Sequence, residues 1–571
     1  MKNADAKIVK NLDYGTSEDV LEIIENKVFE VLKTYSNVHR GSGHYSMITT
    51  GLFEHARSII LDYLQLNPKN FQVIFCSSYG SGLLESQMPK EDYRKLKSDD
   101  IGLSIGVTVL AVANRRIRKL LPVQTGGNVV RMVTADSVIW ADTPNKFEAG
   151  TSAIVNIIMF AITLTVKERL RFGNLNYYKN DSIPINKILY EDKLTQYSDF
   201  QMLKELKKLQ IGHGTTVLTA DGEQLFINFD HAASTPTFTP VWDTVRMILR
   251  QPQTVHDELV HEVKENVKKF LNADSSTYET VFTLNSTESI NIASQLIQNE
   301  GYANTDNVVV NTIFEHNSNE LPWRYGTGYS RISISADRHG FIDVNGLERI
   351  LKEFNHNHTF GKKRIRLIAV SGASNVLGTI NDIESICNIA HKYEARVLVD
   401  GAQLVAHRIV EIDKWGVDYF VFSGHKIYAP FGTGVLLLKK TFVINNNHWK
   451  TVQRSGDENV VGIAALGKAL VLLQRIGMAT VEQTEMDITA RLLSCLSGVK
   501  GIKVYGIREH DSENLRKRVG VISFSVKKIL HDKVAKALAE QGGIGVRYGC
   551  FCAHRLVKHR SDLFFIMESV N

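Results

Sequence analysis

From Glu18 to Leu32 the apolar residues recur at helical spacing, and Leu52 to Leu64 repeats the pattern. The spacing predicts two helices, with the turn-rich segment Tyr35–Thr50 between them. Strand-like runs follow at Gln72–Cys76 and Gly106–Val112, and the turn pair Gly126-Gly127 leads into the extended run Val129–Trp140. Thr151 to Val166 is apolar almost throughout, yet it carries Asn156 and falls short of the ~20 residues that span a bilayer. A buried helix is predicted there. Arg171 to Gln201 is polar and rich in Asn, Tyr and Asp, and it reads as a connector.

After His213 short apolar runs alternate with amphipathic ones. Strands are predicted at Gln224–Phe229, Thr280–Leu284, Asn307–Asn311, Arg366–Ser371, Arg396–Asp400 and Tyr419–Ser423, with helices at Asp257–Leu271, Ser286–Ile297 and Asp382–Tyr393. That alternation implies an α/β fold with a mostly parallel sheet covered on both faces. From Val460 two long helices, a strand at Val519–Val526 and a helix at Lys533–Gln541 make a smaller α+β C-terminal lobe. The expected division is 1–170, a connector at 171–212, a large domain at 213–450 and a small one at 451–571.

Composition narrows the class. Of 571 residues 43% are hydrophobic and 22% charged, with only 10 Pro, which describes a folded globular chain. The net charge of +6 is too dilute to imply nucleic acid or membrane as a partner. Five cysteines, an odd and sparse set, argue for a reducing compartment. The first twenty residues hold acidic side chains and no apolar core, so the cytosol is the expected location.

The chemistry concentrates in Val397–Val435. One buried strand ends in Asp400 and the next in Ser423, and Ser423-Gly424-His425-Lys426 occupies the turn where α/β sheets place ligands. Pyridoxal phosphate explains both charges: it needs a lysine to form a Schiff base and an acid to keep the pyridine nitrogen protonated. Lys426 and Asp400 suit those roles. Upstream, Asn285-Ser286-Thr287-Glu288 opens a helix, whose N–H groups and dipole favour a phosphate, although Ser and Thr are also plain caps. His316 follows a strand and can lie on the cofactor ring, and Asn375 can place an amide beside the cofactor's oxygens. Cys550-Phe551-Cys552 supplies too few ligands for a tetrahedral metal site, so no metal is expected.

The segments Phe229–Thr235 (FDHAAST), Asn285–Asn291, Glu315–Trp323, Ser374–Ile380, Val399–Gln403, Phe422–Leu436 and Val546–His554 occur in the order seen in class V aminotransferase-like enzymes. The chain resembles their cysteine desulfurase and selenocysteine lyase members, over about Phe226 to His554. The resemblance implies a type I pyridoxal phosphate transferase fold. It implies Lys426 as the Schiff-base lysine, Asp400 as the pyridinium partner, His316 as the stacked ring and Gln403 facing the phenolic oxygen. Ser286, Thr287, Ser423 and His425 would hold the phosphate, and Asn375 and Arg547 would meet a small amino-acid substrate. In desulfurases resembling this chain an Arg-x-Gly-x-x-Cys loop carries the nucleophile, here Cys552, whose thiolate Arg547 and His554 would favour. A persulfide there would pass to a sulfur acceptor protein. Epimerase and aminotransferase chemistry, or an inactive scaffold, belong to the same resemblance.

Two departures shape the remaining expectations. The family's Gly-rich turn and E-A-G-T-P segment, supplied across a dimer, have no counterpart at Arg454–Asn459, yet Gly126-Gly127 and Glu148-Ala149-Gly150-Thr151 occur in the first half. The first half therefore resembles an incomplete class V unit, an α/β partial repeat without the lysine. It is expected to complete one site as an internal pseudo-dimer, with Gly126, Gly127 and Thr151 at the cofactor; further homo-oligomers are open. Past the cysteine loop the family's carboxylate-binding Arg segment is missing, so the C-terminal lobe is expected to be truncated.

Overall fold

A computed structural model describes residues 17–39, 41, 43–170, 182–298, 305–325, 328–443, 449 and 459–559. Part of the expected connector (171–181), the region 454–458 and the end beyond residue 559 lie outside the described residues.

The central sheet has seven strands in the order Ser330–Ile334, Asp306–Thr312, Lys363–Ser371, Arg396–Asp400, Tyr419–Ser423, Gly434–Lys439 and Tyr278–Thr283. The first five run parallel, and Gly434–Lys439 runs antiparallel to both neighbours. Successive residues of a strand point to opposite faces, and here both faces are buried. Val397 and Val399 pack into the larger core and Leu398 into a second core beneath helix Ser286–Gln298. That explains why these strands read as continuous apolar runs. Strands Gly434–Lys439 and Ser330–Ile334 were not predicted, the former because it follows the lysine turn too closely to show a separate signal.

The first part of the chain carries a three-stranded antiparallel sheet, Phe71–Cys76, Thr108–Ala113 and Tyr93–Lys97 in that order, unlike the parallel sheet of the large domain. Tyr93–Lys97 (YRKLK) escapes sequence reading because it is an edge strand whose charged side chains face water. Helix His44–Tyr63 begins inside the segment predicted as a turn. Ser46 Oγ donates to Asn37 O (2.8 Å) and Thr49 Oγ1 to Thr34 O (3.0 Å), so its polar residues tie the helix to the preceding turn.

Three further expectations are corrected. Gln224–Phe229 is not a sheet strand: Gly222–Leu225 pairs with Thr216–Thr219 in a hairpin, and Ile227–Asn228 pairs with Ile544–Gly545. Of Val519–Val526 only Phe524–Val526 is a strand, against Ile502–Val504. The described end of the connector is not loose. It forms helices Ile185–Leu189 and Asp199–Lys208, buries Leu189, Met202 and Leu206, and is gripped by Lys468, which bonds Leu189 O and pairs with Asp192 at 2.7 Å.

Helices Ser17–Lys33 and Ile154–Leu170 bury Leu21, Ile24, Ile157 and Phe160 in the same core as Val263 and Leu466 from the second half of the chain. Asn156, the polar residue inside the apolar helix, is buried and donates to Ile105 O and Phe431 O. Among the described residues no single helix is long and apolar enough to cross a membrane; Val460–Ile476 and Met478–Ser497 meet that length and composition only as a pair bent by 78°.

Candidate active site

The carboxyl ends of the parallel strands open into a cavity of about 1490 Å³, bordered by Lys426, Asp400, His316, Arg547, Cys552 and Thr151. Strand Arg396–Asp400 ends with Asp400, whose Oδ1 accepts from Ala402 N (3.1 Å). The neighbouring strand ends with Ser423, and a single helical turn, Gly424–Lys426, lifts the lysine into the cavity. Burial lowers the pKa of the Lys426 ammonium and Asp400 raises it, while Arg547 lowers it and Cys552 raises it; the balance is downward. The neutral amine is thereby favoured. His425 beside it is pushed down to about 3 by burial, then by Lys426 and Arg547, and stays neutral.

A cluster of hydroxyls gathers at the start of helix Ser286–Gln298, where the positive dipole end favours an anion. Ser286 N donates to Ser423 Oγ (2.8 Å), Ser423 Oγ donates to Ser286 Oγ (2.9 Å), and Thr287 Oγ1 shares a hydrogen bond with Ser318 Oγ (2.6 Å). His316 accepts at Nδ1 from Ser318 N (3.2 Å), which leaves the proton of the neutral ring on Nε2. Gln403 is held by a bond from Nε2 to Ala232 O (2.8 Å).

The first half reaches this cluster. Gly127 N donates to Ser318 Oγ (3.3 Å), and Asn285 Nδ2 donates to Ala149 O and Thr151 O, both at 3.0 Å. Gly126, at φ 154°, approaches Thr287 so closely that a Cβ would stand 2.4 Å from its Cγ2. Only glycine fits there. Glu148, just before this segment, is anchored by a buried bidentate pair with Arg57 (2.7 and 2.8 Å) and by Phe75 N (2.8 Å).

On the opposite wall Asn375 Nδ2 donates to Phe551 O (2.8 Å) and Asn317 N donates to Cys552 O (2.7 Å), fixing the cysteine loop. The ring of His554 bonds Sγ of Cys550, the first cysteine of the pair, at 3.0 Å. Arg547 Nη1 lies 3.6 Å from Asp230 Oδ2. Asp230 is buried with neither carboxylate oxygen hydrogen-bonded, and burial pushes it up to about 6 against the pull of Arg547.

Sequence reading missed two acids. Asp230 stands in the quoted FDHAAST segment, where an acid just past a strand was the available signal. Glu315 precedes His316, is buried, and is pushed up to about 7 by desolvation although Ser371, Thr312 and Asn319 all donate to it. Its isolation depends on packing and leaves no local mark.

These residues fit pyridoxal phosphate. An amine whose charged form burial disfavours faces an acid at a neighbouring strand end, hydroxyl donors converge on a helix start, and a cradle at Gly126-Gly127 would be filled by any Cβ. The fold and donor set define a pyridoxal phosphate enzyme of the type I fold. The family model described as aminotransferase class-V matches residues 104–213 and 227–563, and the chain belongs to this pyridoxal phosphate-dependent family. A probable cysteine desulfurase of Halalkalibacterium halodurans is 31% identical over 318 residues, 52% of this chain and 73% of that protein. A cysteine desulfurase of Escherichia coli O9:H4 (strain HS) is 31% identical over 328 residues, 52% of this chain and 75% of its own length. The crystal structure of the Escherichia coli cysteine desulfurase CsdA shares the fold, with a TM-score of 0.51 at 23% identity over 59% of this chain and 87% of that one.

Proposed function

We propose that this chain removes sulfur from L-cysteine, leaving alanine, with Cys552 as the sulfur-accepting thiol. The observation that carries the reading is the cavity whose wall holds the buried Cys552 within electrostatic reach of the Lys426 amine. The curated relatives named above as cysteine desulfurases support it.

Lys426 would anchor the cofactor and Asp400 would keep its pyridine nitrogen protonated. His316 would lie against its ring, Gln403 would face its phenolic oxygen, and Ser286, Thr287, Ser423 and His425 would receive its phosphate. When bound, pyridoxal phosphate supplies the electron sink that makes the substrate's Cα proton acidic. The Lys426 amine, whose ammonium form burial disfavours, takes that proton. Arg547, which lines the same cavity as Asn375, meets the substrate carboxylate, exchanging its loose contact with Asp230 for a closer anion. The Cys552 thiolate attacks the substrate's sulfur; the Cys552 Sγ–S bond forms, the substrate's Cβ–S bond breaks with its electron pair left on the carbon fragment that is protonated to alanine, and the sulfur stays on Cys552 as a persulfide.

In this reading Gly126, Gly127 and Thr151 complete the cofactor site from within the same chain. The first 170 residues then act as an internal partner, 213–450 as the cofactor domain and 451–571 as the small domain. A thiol-bearing acceptor in a reducing, cytosolic compartment takes the sulfur onward.

The test is alanine release from L-cysteine by the wild-type protein and by Cys552→Ser. The variant is expected to lose roughly two orders of magnitude or more. Unchanged release overturns the assignment of Cys552, and transfer of amino groups to a keto acid replaces desulfuration with aminotransfer.

A further inference from the structure

Cys550, Phe551, Cys552 and Ala553 form a reverse turn closed by the bond from Ala553 N to Cys550 O (2.8 Å). Its central residues, Phe551 and Cys552, stand at φ 51° and 53°, a left-handed region that costs any residue with a side chain. Asn375 and Asn317 hold the turn there through the carbonyls of those same two residues. Strain maintained by outside contacts at a cavity wall marks a position whose geometry matters. In such a turn the two cysteine Cα atoms are separated by roughly 5–6 Å, within the range over which their sulfurs can bond.

The two thiols have different surroundings. Cys552 borders the cavity with Lys426. Cys550 is half-buried and lies with its Sγ 3.0 Å from Nε2 of His554, a buried residue. The same Nε2 is 3.0 Å from the carbonyl oxygen of Arg131, and Nδ1 is 2.9 Å from Asn317 Nδ2. A carbonyl oxygen only accepts, so Nε2 carries the proton, and the Asn317 amide donates to Nδ1. Nε2–H is then also the donor that Cys550 faces, which is the partner a thiolate requires. The desulfuration steps above leave Cys550 unused.

We propose that Cys550 is a second sulfur carrier, which takes the sulfane sulfur from Cys552 and moves it to the His554 side of the loop. The proposal rests on the desulfuration reading, which delivers that sulfur to Cys552. The Cys550 thiolate attacks the outer sulfur of the Cys552 persulfide. A bond forms between Cys550 Sγ and that sulfur, the bond to Cys552 Sγ breaks, and Cys552 leaves as a thiolate with the bonding pair. One thiolate is consumed and one is formed, the proton on the sulfane sulfur travels with it, and no oxidant or reductant enters. His554 positions and stabilises the attacking thiolate, and Cys552 is ready for the next substrate.

The experiment mixes the full-length holoenzyme with one equivalent of L-cysteine without reductant, quenches with iodoacetamide at increasing times, and locates the extra sulfur by tandem mass spectrometry. Wild type is expected to show it first on Cys552 and then on Cys550. In His554→Gln the passage should slow by about ten- to a hundredfold, the loss of one hydrogen bond to a charged group, and in Cys550→Ser the sulfur should stay on Cys552. Alanine release with wild-type sulfur confined to Cys552 overturns the relay alone; absence of both alanine and persulfide overturns the desulfuration reading and the relay with it. A second measurement needs no turnover: iodoacetamide should alkylate Cys550 of the cofactor-free protein faster in wild type than in His554→Gln, and equal rates overturn the role given to His554.

Discussion

A Cβ placed on Gly127 would stand 2.9 Å from Cε1 of His316. A residue of the first half thus sets the space available to the imidazole proposed to lie on the cofactor. Gly127→Ala is expected to displace that ring, shift the visible absorption of the holoenzyme and weaken cofactor binding. Gly126→Ala should do more damage, since its contact is shorter, 2.4 Å to Thr287, and its φ of 154° is unsuited to a side chain. Titration of each apoprotein with pyridoxal phosphate measures both effects.

Thr151 offers a milder test of the same relationship. A hydroxyl bonded to phosphate contributes ~1.5–3 kcal/mol, so Thr151→Ala should weaken cofactor affinity by roughly one to two orders of magnitude with little change in melting temperature. A chain started near Gln201 should fail to fold rather than merely bind weakly. It would strip Leu21, Ile24, Ile157 and Phe160 from the core they share with Val263 and Leu466. Circular dichroism and cofactor titration of the two proteins separate these outcomes.

Lys426 has its ammonium pKa lowered by burial and by Arg547. The amine should therefore capture pyridoxal phosphate at a pH below the ordinary lysine range, and Arg547→Gln should move the midpoint of capture upward. Growth of the visible absorption band against pH reads the midpoint. The band should disappear on borohydride treatment and be absent in Lys426→Ala.

Glu315 makes a prediction about stability. Its pKa rises from an ordinary 4.5 to about 7 in the folded protein, so the folded state binds the proton more tightly than the unfolded one. Between those values stability must fall as pH rises, by an amount on the order of 2–3 kcal/mol for this group. Glu315→Gln keeps the hydrogen-bonding shape without the charge, and its urea midpoint should fall less between pH 5 and pH 7.5 than that of wild type. Parallel slopes in the two proteins would show that Glu315 is already ionised when folded.

Local pattern determined much of this protein. Period and length sufficed for helix Ser286–Gln298, for strands Arg396–Asp400 and Tyr419–Ser423, and for the buried helix around Asn156, because each is set by neighbours a few residues away. The order of short motifs was enough to place Lys426, Asp400 and Cys552 in one family's scheme. Only the tertiary structure decided what depends on distant partners. Tyr93–Lys97 becomes a strand because Thr108–Ala113 offers it an edge, and Gln224–Leu225 leaves the large sheet because Thr216–Val217 takes its hydrogen bonds. Glu315 and Asp230 acquire raised pKa values from the walls packed around them, and His554 turns its ring to Cys550 because Arg131 and Asn317 hold its other contacts. Such charges and contacts are created when segments pack together, for Asp230 with Arg547 and His554 with Arg131 across hundreds of residues, and burial is a property of the folded chain rather than of any stretch of it.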